Sequence, residues 1–420
     1  MTFKASLSGL NAAQADLDVI SNNIANSETT GFKSSRTEFS DVYASAFSSI
    51  ANTSPGAGVT VGQVSQQFDQ GNLQFTSRDM DLAIEGQGFF VLRNTAGSLQ
   101  YSRAGVMGVD RDGYIVTEDQ SRLQAYPPAA NGTFSTGNMG DLRIQSAVGS
   151  PQATTQVNVG LNLDATEVYP GSPGVPLVFD PNLPNTYNRS SSIIGFDSLG
   201  VQHNINSYFV KDSVVSNRWF MYSYIDGTNP ADELTVGGVS PVQLDFDSGG
   251  LLTTVMPVAY DPTTTINAAT GANEMVLTMD LTGSSQYGSP FALNAMSQDG
   301  FGTGNFSGVA IEDSGIVSAQ YTNGQFTIIG KIALATFANP QGLAQLGSSS
   351  WGDTQAAGDV TFGEALTGEF GAIHSGALEA SNVDIAAELV KLIIAQRNYQ
   401  ANAQAISTED QMTQTIINIR

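Results

Sequence analysis

The two ends of the chain carry matching seven-residue apolar repeats. Near the N-terminus the repeat consists of Phe3, Leu10, Leu17 and Ile24, with Ala13 and Ile20 at the intermediate positions. Near the C-terminus it consists of Ile385, Leu392, Tyr399 and Ile406, with Leu389 and Ala403 between them. Such a repeat places a narrow apolar seam along a helix, where another helix can pack. The two seams predict a helical stem built from both ends of the chain, which is the layout of a subunit that polymerises.

Polar residues interrupt the C-terminal repeat at two places. Gln396 and Asp410 occupy the positions where the pattern calls for an apolar side chain. A buried polar residue in a coiled coil can fix the register of the helices. We therefore predict that these two residues set the register of the C-terminal seam.

The composition limits the classes of partner and chemistry. The chain has 420 residues, which is too long for one ordinary core, so two or three domains are expected. Its 16 basic and 39 acidic residues give a formal charge of -23. Recognition of nucleic acid or of an anionic membrane needs clustered Lys and Arg, so the charge argues against both partners. The absence of cysteine excludes disulfides, thiolate metal sites and cysteine nucleophiles.

The periodicity along the chain changes from helical to strand-like and back. Residues 2–25 have the pattern of one amphipathic helix, which ends in the turn-forming residues 26–31. Alternating apolar residues and Asp-Gly turns then predict strands, including a hairpin over 109–116. Residues 147–300 combine short apolar runs with turn signals, a pattern typical of a β-sandwich or barrel.

The C-terminal helix is predicted to begin near Ser381 and Asn382, which are good N-cap residues. Asp384 would then lie in its first turn, where the helix dipole favours an acid.

These patterns predict an α+β fold with a nested order of domains. Residues 1–30 and 373–420 would form a coiled-coil stem, and residues 31–69 a connector with a loop at Pro55–Gly56. Residues 70–146 and 301–372 would form an inner β domain, and residues 147–300 an outer β domain inserted into it.

No segment predicts a membrane anchor. A span needs about 20 apolar residues, and no such stretch occurs. Polar residues between Ser6 and Asp18 break any signal-peptide core. We therefore expect no membrane insertion, and export without a cleaved leader if the protein leaves the cytoplasm.

The candidate chemical motifs are weak. The two histidines, His203 and His374, have no second His or Cys at metal-ligand spacing. The segment 110–113 resembles part of a calcium loop, but the residues at the outer ligand positions do not fit, so it predicts a turn. The glycines of 300–304 are not followed by a phosphate-binding Lys. We predict no enzymatic activity, cofactor or metal.

Several segments resemble the signatures of the bacterial flagellar rod, hook and axial family. They are residues 21–33 near the N-terminus, 82–90 at the start of the first β region, 337–343 in the return, and 376–384 with 395–402 near the C-terminus. Rod members of this family generally lack an insertion as large as 147–300, so its size favours the hook proteins over a distal rod subunit.

The resemblance implies a structural role outside the cell. It implies a subunit that assembles with itself into the flagellar hook, the flexible tube between motor rod and filament. The implied partners are the hook cap protein, the distal rod protein, the hook–filament junction protein and the flagellar export apparatus. An alternative from another class is a secreted carbohydrate-binding or hydrolytic β protein. Such a protein would need aromatic platforms in one concave site, but the only tryptophans, Trp219 and Trp351, lie in different predicted domains.

We predict that added sodium chloride promotes polymerisation. Each copy carries the same net charge of -23, and salt screens repulsion between copies. Sedimentation of polymer at increasing salt concentration measures the effect, with sucrose as a neutral control for solvent exclusion. Polymer yield that does not change with salt would contradict the electrostatic argument.

Overall fold

The computed structural model describes residues 2–42, 58–129, 133–135, 137–144, 148–171, 178–263 and 271–418. The chain divides into two compact units. The first unit consists of Met1–Gln145, Gly308–Gln320 and Phe326–Arg420, and the second of Ser146–Ser307 and Tyr321–Gln325. The loop predicted at Pro55–Gly56 lies outside the described residues.

Two long helices lie at the ends of the chain, both in the first unit. Helix α1 spans Thr2–Ala25, which confirms the predicted helix over 2–25. Helix α2 spans Ile385–Asn418. Its N-cap is Asp384, whose Oδ1 accepts hydrogen bonds from the backbone N–H groups of Ala386 and Ala387 at 2.9 and 3.2 Å. The prediction that Ser381 or Asn382 caps this helix is therefore wrong, because Asn382 makes other hydrogen bonds.

The strands of the first unit, numbered in chain order along the whole molecule, begin with β1 (Ser35–Asp41), β2 (Val59–Gln66), β3 (Leu73–Phe75), β4 (Leu82–Glu85), β5 (Phe89–Arg93), β6 (Leu99–Ser102), β7 (Gly108–Val109), β8 (Ile115–Val116), β9 (Arg122–Tyr126) and β10 (Gly140–Asp141). After the second unit the chain forms β22 (Gly304–Ile311), β23 (Ile316–Tyr321), β24 (Phe326–Phe337), β25 (Ala344–Gly347), β26 (Ser350–Gly352), β27 (Val360–Glu364), β28 (Ala372–Ser375) and β29 (Ala377–Glu379).

One antiparallel sheet forms the body of the first unit. Its strands lie in the order β23-β24-β9-β5-β6-β26-β25, with β27 paired to β24. The predicted hairpin over 109–116 is confirmed, because β7 pairs with β8 across a turn in which Gly113 has a φ of +85°. The core of this sheet is aromatic and includes Phe89, Tyr101, Phe337 and Trp351.

The predicted connector over 31–69 contains a regular element. Strands β1 and β2 pair antiparallel in a two-stranded sheet, most of whose side chains are exposed or half-buried. Both strands contact helix α1. The region is therefore a hairpin beside α1 with few buried side chains of its own.

The second unit consists of the strands β11 (Val148–Gly149), β12 (Gln156–Asp164), β13 (Arg189–Phe196), β14 (Gln202–Lys211), β15 (Arg218–Ile225), β16 (Glu233–Leu234), β17 (Val242–Asp245), β18 (Val258–Ala259), β19 (Thr278–Asp280), β20 (Ser285–Tyr287) and β21 (Ala292–Gln298). One five-stranded sheet centres on β12 and another on β14 and β15. Apolar residues of both sheets, among them Leu161, Phe209 and Trp219, share one core, so the unit is a β-sandwich. Terminal helices and β-rich units together confirm the α+β class.

A histidine links three segments of the first unit. His374, on β28, places Nε2 2.6 Å from Glu85 Oε2 on β4 and Nδ1 3.3 Å from Asp313 Oδ1 in the turn after β22. The backbone N–H of Ile373 also donates to the carbonyl of Asp313 at 3.1 Å. The hydrogen bond to Glu85, with the charge of Asp313, raises the pKa of His374 above its ordinary value.

We predict that the contribution of His374 to stability declines as the pH rises. The raised pKa means that the folded state holds the proton more tightly, so the full contribution is present below about pH 6.5, the ordinary pKa of histidine. It is lost as the pH rises through the raised pKa of the folded chain. The difference in free energy of unfolding between the unmodified chain and His374→Gln should therefore shrink as the pH rises above about 6.5. A difference that stays constant as the pH rises, or that is unaffected by Glu85→Gln, would contradict the assignment.

Candidate polymerisation interface

The two terminal helices pack against each other in antiparallel orientation. Gly9 of α1 lies beside Asn402 of α2, so closely that a Cβ atom on Gly9 would be 2.7 Å from Asn402 Oδ1. Fourteen residues further along α1, Asn23 Nδ2 donates to Glu388 Oε2 at 3.4 Å. Because the numbers rise along one helix and fall along the other, the helices run in opposite directions.

The buried residues of α2 differ from the predicted seam at two intermediate positions. Leu392, Tyr399 and Ile406 are half-buried, as is the intermediate residue Ala403, but the fully buried residues are Glu388 and Ala395. Glu388 and Ala395 lie three residues after the repeat positions Ile385 and Leu392, whereas the predicted intermediate positions lie four residues after them. The predicted intermediate residue Leu389 is 46% exposed, and Ile385 is 43% exposed.

A polar side chain explains this difference. Glu388 occupies a packed position because its carboxylate accepts hydrogen bonds from Asn23 at 3.4 Å and from Lys391 at 2.7 Å. Apolar pattern alone cannot identify such a position. Gln396 and Asp410 are exposed in the single chain, and their role in setting the register of the seam stays a prediction.

The packed side of α1 combines small and large apolar residues. Ala12, Ala13 and Ile20 are buried, and the predicted seam residues Leu10, Leu17 and Ile24 are half-buried. Phe3 is 48% exposed. Because α1 also contacts β1 and β2, its partly buried surface is wider than a two-helix seam.

Two asparagines fix the helix ends to the body of the first unit. Asn23 makes two hydrogen bonds with the backbone of Ser35, accepting from its N–H at 2.9 Å and donating to its carbonyl at 2.8 Å. Asn382 accepts from the N–H of Ser34 at 2.8 Å and donates to the carbonyls of Gln67 and Asp69 at 2.8 and 3.1 Å. Both helix ends are thereby held against the segment 34–35, and the start of α2 is also held against the segment 67–69.

A buried ionic cluster lies beneath these asparagines. Glu379 Oε1 is 2.5 Å from Lys33 Nζ, and Oε2 is 3.3 Å from Arg103 Nη1. All three side chains are almost fully buried. Lys33 also donates to the carbonyl of Asp69 at 2.8 Å, and the N–H of Gly71 donates to Glu379 at 2.9 Å. Burial lowers the pKa of Lys33 and of Arg103, and the Glu379 carboxylate opposes both shifts.

Sequence reasoning missed this cluster, although a signal was present. Lys33 ends the signature segment 21–33, and Glu379 lies inside the signature segment 376–384. A charged residue within each conspicuous segment could have suggested a pair. Lys33 and Glu379 are 346 residues apart in the sequence, so no local pattern connects them.

The outward side of α2 carries a continuous apolar surface. We call this surface the α2 apolar face; it consists of Ile385, Leu389, Val390, Ile393 and Ile394, each between 43% and 58% exposed. Phe3 and Leu7 are comparably exposed on α1. Exposed patches of large aliphatic side chains are typical of protein–protein contacts.

The residues considered for other chemistry lie in structural positions. Trp219 is buried in the second unit and Trp351 in the first, so neither provides an exposed platform for a sugar. His203 lies between Asp197, at 3.4 Å from its Nε2, and Asp226. Within the described residues no cluster of three or more His, Asp or Glu side chains has metal-binding geometry. Neither α1 nor α2, over the residues described, has the length and apolarity that crossing a membrane requires.

A terminal helix pair with an exposed apolar face, in a chain with β-rich units, is typical of a structural subunit that contacts other chains. Family models match both ends of the chain and most of the region between them. They are the "Flagella basal body rod protein" at residues 3–33, the "Flagellar hook protein FlgE/F/G D1 domain" at 83–162, the "Flagellar basal body protein FlaE D2 domain" at 162–301, and the "Flagellar basal body rod FlgEFG protein C-terminal" at 374–419.

Complete relatives identify the family. The chain is 37% identical over 424 residues to flagellar hook protein FlgE of Salmonella typhimurium, and 36% identical over 425 residues to that of Escherichia coli K12, with 100% of each chain covered. The crystal structure of Helicobacter pylori flagellar hook protein FlgE2 matches the fold with a TM-score of 0.50 and 16% identity, over 73% of this chain and 100% of that one. The chain belongs to the flagellar hook protein family and is a structural subunit of the hook.

We predict that Glu379→Ala strongly destabilises the first unit. The substitution leaves two buried cations without their carboxylate, and breaking a buried ion pair in this way typically costs about 3–5 kcal/mol. Denaturant unfolding can be followed through Trp351 in a Trp219→Phe background, so that the signal reports the first unit. Asp359→Ala, which removes an exposed carboxylate, serves as control and should change the free energy of unfolding by less than about 0.5 kcal/mol. Equal effects of the two substitutions would rule out the structural role of the cluster.

Proposed function

We propose that copies of this chain polymerise through their terminal helices, with the α2 apolar face buried between subunits. The observation that carries the proposal is the exposure of large aliphatic side chains along the first ten residues of α2. Because these five side chains are about half exposed, covering the remainder would contribute roughly 4–7 kcal/mol per subunit. That is a large part of the free energy of a micromolar contact, which is about 8 kcal/mol.

The residues predicted for self-assembly divide into two groups. Phe3, Ile385 and Leu389 point outward and would contact neighbouring subunits directly. The others would hold the helix pair in the shape that the neighbours recognise; they are Leu10, Leu17, Ile20, Ile24, Leu392, Tyr399 and Ile406. We propose that pairs from many subunits combine as a coiled-coil stem.

The order of domains supports the same arrangement. We propose a stem of residues 1–30 and 373–420, a connector over 31–69, an inner β domain of 70–146 and 301–372, and an outer domain of 147–300 inserted into it. The support is that Ser146–Ser307 forms a compact unit whose flanking segments both belong to the other unit. Such an insertion would leave both chain ends together for the stem.

The partners follow from the family. We propose that the polymer is the hook outside the cell and that its ends meet the distal rod protein, the hook cap protein and the hook–filament junction protein. The flagellar export apparatus would deliver the subunits. We also propose that the chain has no enzymatic activity, since its relatives are named flagellar hook proteins.

We predict that Leu389→Asp abolishes polymer without unfolding the chain. Leu389 lies on the outward side of α2, so the change spares the contact with α1. A charge at a buried contact between subunits costs several kcal/mol, so the critical concentration should rise by at least about tenfold. Electron microscopy and sedimentation measure the polymer, and circular dichroism checks the fold.

Gln400→Asp is the matched control, because Gln400 is exposed on the same helix outside the α2 apolar face. It adds the same charge and should polymerise nearly as well as the unmodified chain. A Leu389→Asp chain that polymerises at an unchanged critical concentration would refute the proposed interface.

A further inference from the structure

The first unit contains an aromatic pocket that its own side chains do not fill. The pocket has a volume of about 560 Å³. Its apolar lining comes from Phe68, Phe89 and Phe337, whose rings meet edge to face with centroids 5.7 Å apart for Phe68 and Phe89 and 6.1 Å apart for Phe89 and Phe337. Gln87 and Glu369 are among the residues at its polar rim. We call this cavity the aromatic pocket.

A strained leucine lies on the turn that borders the aromatic pocket. Leu366 has a φ of +62° and is 61% exposed, on the same turn as Glu369. Its N–H donates to the carbonyl of Gly371 at 3.2 Å, and the N–H of Gly371 donates to the carbonyl of Gln87 at 2.9 Å. The left-handed conformation disfavours a bulky residue, and water disfavours the exposed side chain. A partner that covers this exposed side chain would offset the second cost.

The same chain presents an aromatic side chain that could fill such a pocket. Phe75 is 80% exposed, more than the other exposed aromatic side chains in the described ranges. Its strand β3 pairs with β29, opposite Ala377, and the next N–H, of Thr76, donates to the carbonyl of Gly376 at 2.7 Å. The backbone that presents the ring is therefore held in place.

The aromatic pocket and the segment that carries Phe75 are complementary in size and charge. A cavity of about 150 Å³ is enough to hold a benzene ring, so the aromatic pocket has room for a phenyl group and the residues beside it. Arg78, three residues after Phe75, has a largely exposed side chain whose nearest carboxylate, Asp81, is 3.8 Å away. Glu369 at the pocket rim is exposed and carries the opposite charge.

We propose that the aromatic pocket receives Phe75 of a second copy of this chain, and that the same neighbour covers Leu366, which lies on the turn that carries the rim residue Glu369. The inference rests on the proposed function, since it assigns one contact within the polymer. The ring and the pocket are different patches of one surface, so the contact is heterologous. Heterologous contacts repeat from copy to copy and generate rings or open helical assemblies.

A photo-cross-linker at position 75 tests the contact. Phe75→p-benzoylphenylalanine keeps an aromatic ring, and an isotope-labelled minor fraction of this variant can be polymerised with unmodified copies and irradiated. We expect adducts between copies that map to residues 66–69, 87–89 or 336–341 in the polymer and not in dilute monomer. Phe326→p-benzoylphenylalanine, at a similarly exposed phenylalanine, is the control and should leave the pocket unlabelled. The proposal would be overturned if the adducts formed from position 75 in the polymer mapped outside the pocket.

A second substitution separates this contact from general stability. Leu366→Gly removes the side chain and relieves the left-handed strain, so the monomer should unfold at the same temperature or higher. Its critical concentration should nevertheless rise roughly tenfold, as expected for one lost leucine contact. Gln120→Gly relieves the same strain at an exposed residue with a φ of +63° and should not affect polymerisation.

The outcomes distinguish the two proposals. If the unmodified chain and Leu366→Gly polymerise equally well, the pocket contact is wrong and the helix-based function stands. If the unmodified chain never polymerises, both proposals fail.

Discussion

The buried carboxylate of Glu379 is the interaction on which the rest of the first unit depends. It joins the segment after α1, through Lys33, to the sheet, through Arg103, and to the backbone of Gly71. Removing three charged groups from water is costly, and the cost is offset only where the geometry is nearly ideal. Glu379 also precedes α2 by a few residues, so the cluster sets where both terminal helices leave the body. A wrong alternative fold would leave at least one of these charges buried and alone.

The sequence predicts the regular elements well where a local pattern specifies them. The span of α1 follows from its periodicity and from the turn formers that end it, and the hairpin at Gly113 follows from its Asp-Gly turn. The N-cap of α2 was misassigned because Ser381, Asn382 and Asp384 are all good caps, and only the hydrogen bonds of Asn382 to the body decide among them. The hairpin β1–β2 is not evident from the sequence because most of its side chains are exposed. Its strands therefore lack a clear alternation of apolar and polar residues.

The candidate interface was predictable only in part. The repeats identify the terminal helices and the residues Leu392, Tyr399 and Ile406 at their contact. They cannot identify Glu388 as a packed residue, since its place depends on Asn23, 365 residues away in the chain. Nor can they show which side of α2 stays exposed. That depends on how α1 and α2 pack, for example where Gly9 lies beside Asn402.

The charge of the chain determines what kind of attraction can join its copies. With a net charge of -23 on every subunit, long-range forces between copies are repulsive. Attraction must therefore come from short-range burial of apolar surface, and it must be concentrated where that surface is exposed. The apolar residues of the second unit's sandwich close over a core of their own, including Leu161, Phe209 and Trp219. The first unit instead leaves a run of aliphatic side chains on α2 in water. The α2 apolar face is therefore a surface through which a short-range attraction of this kind can act, and the proposed assembly uses it.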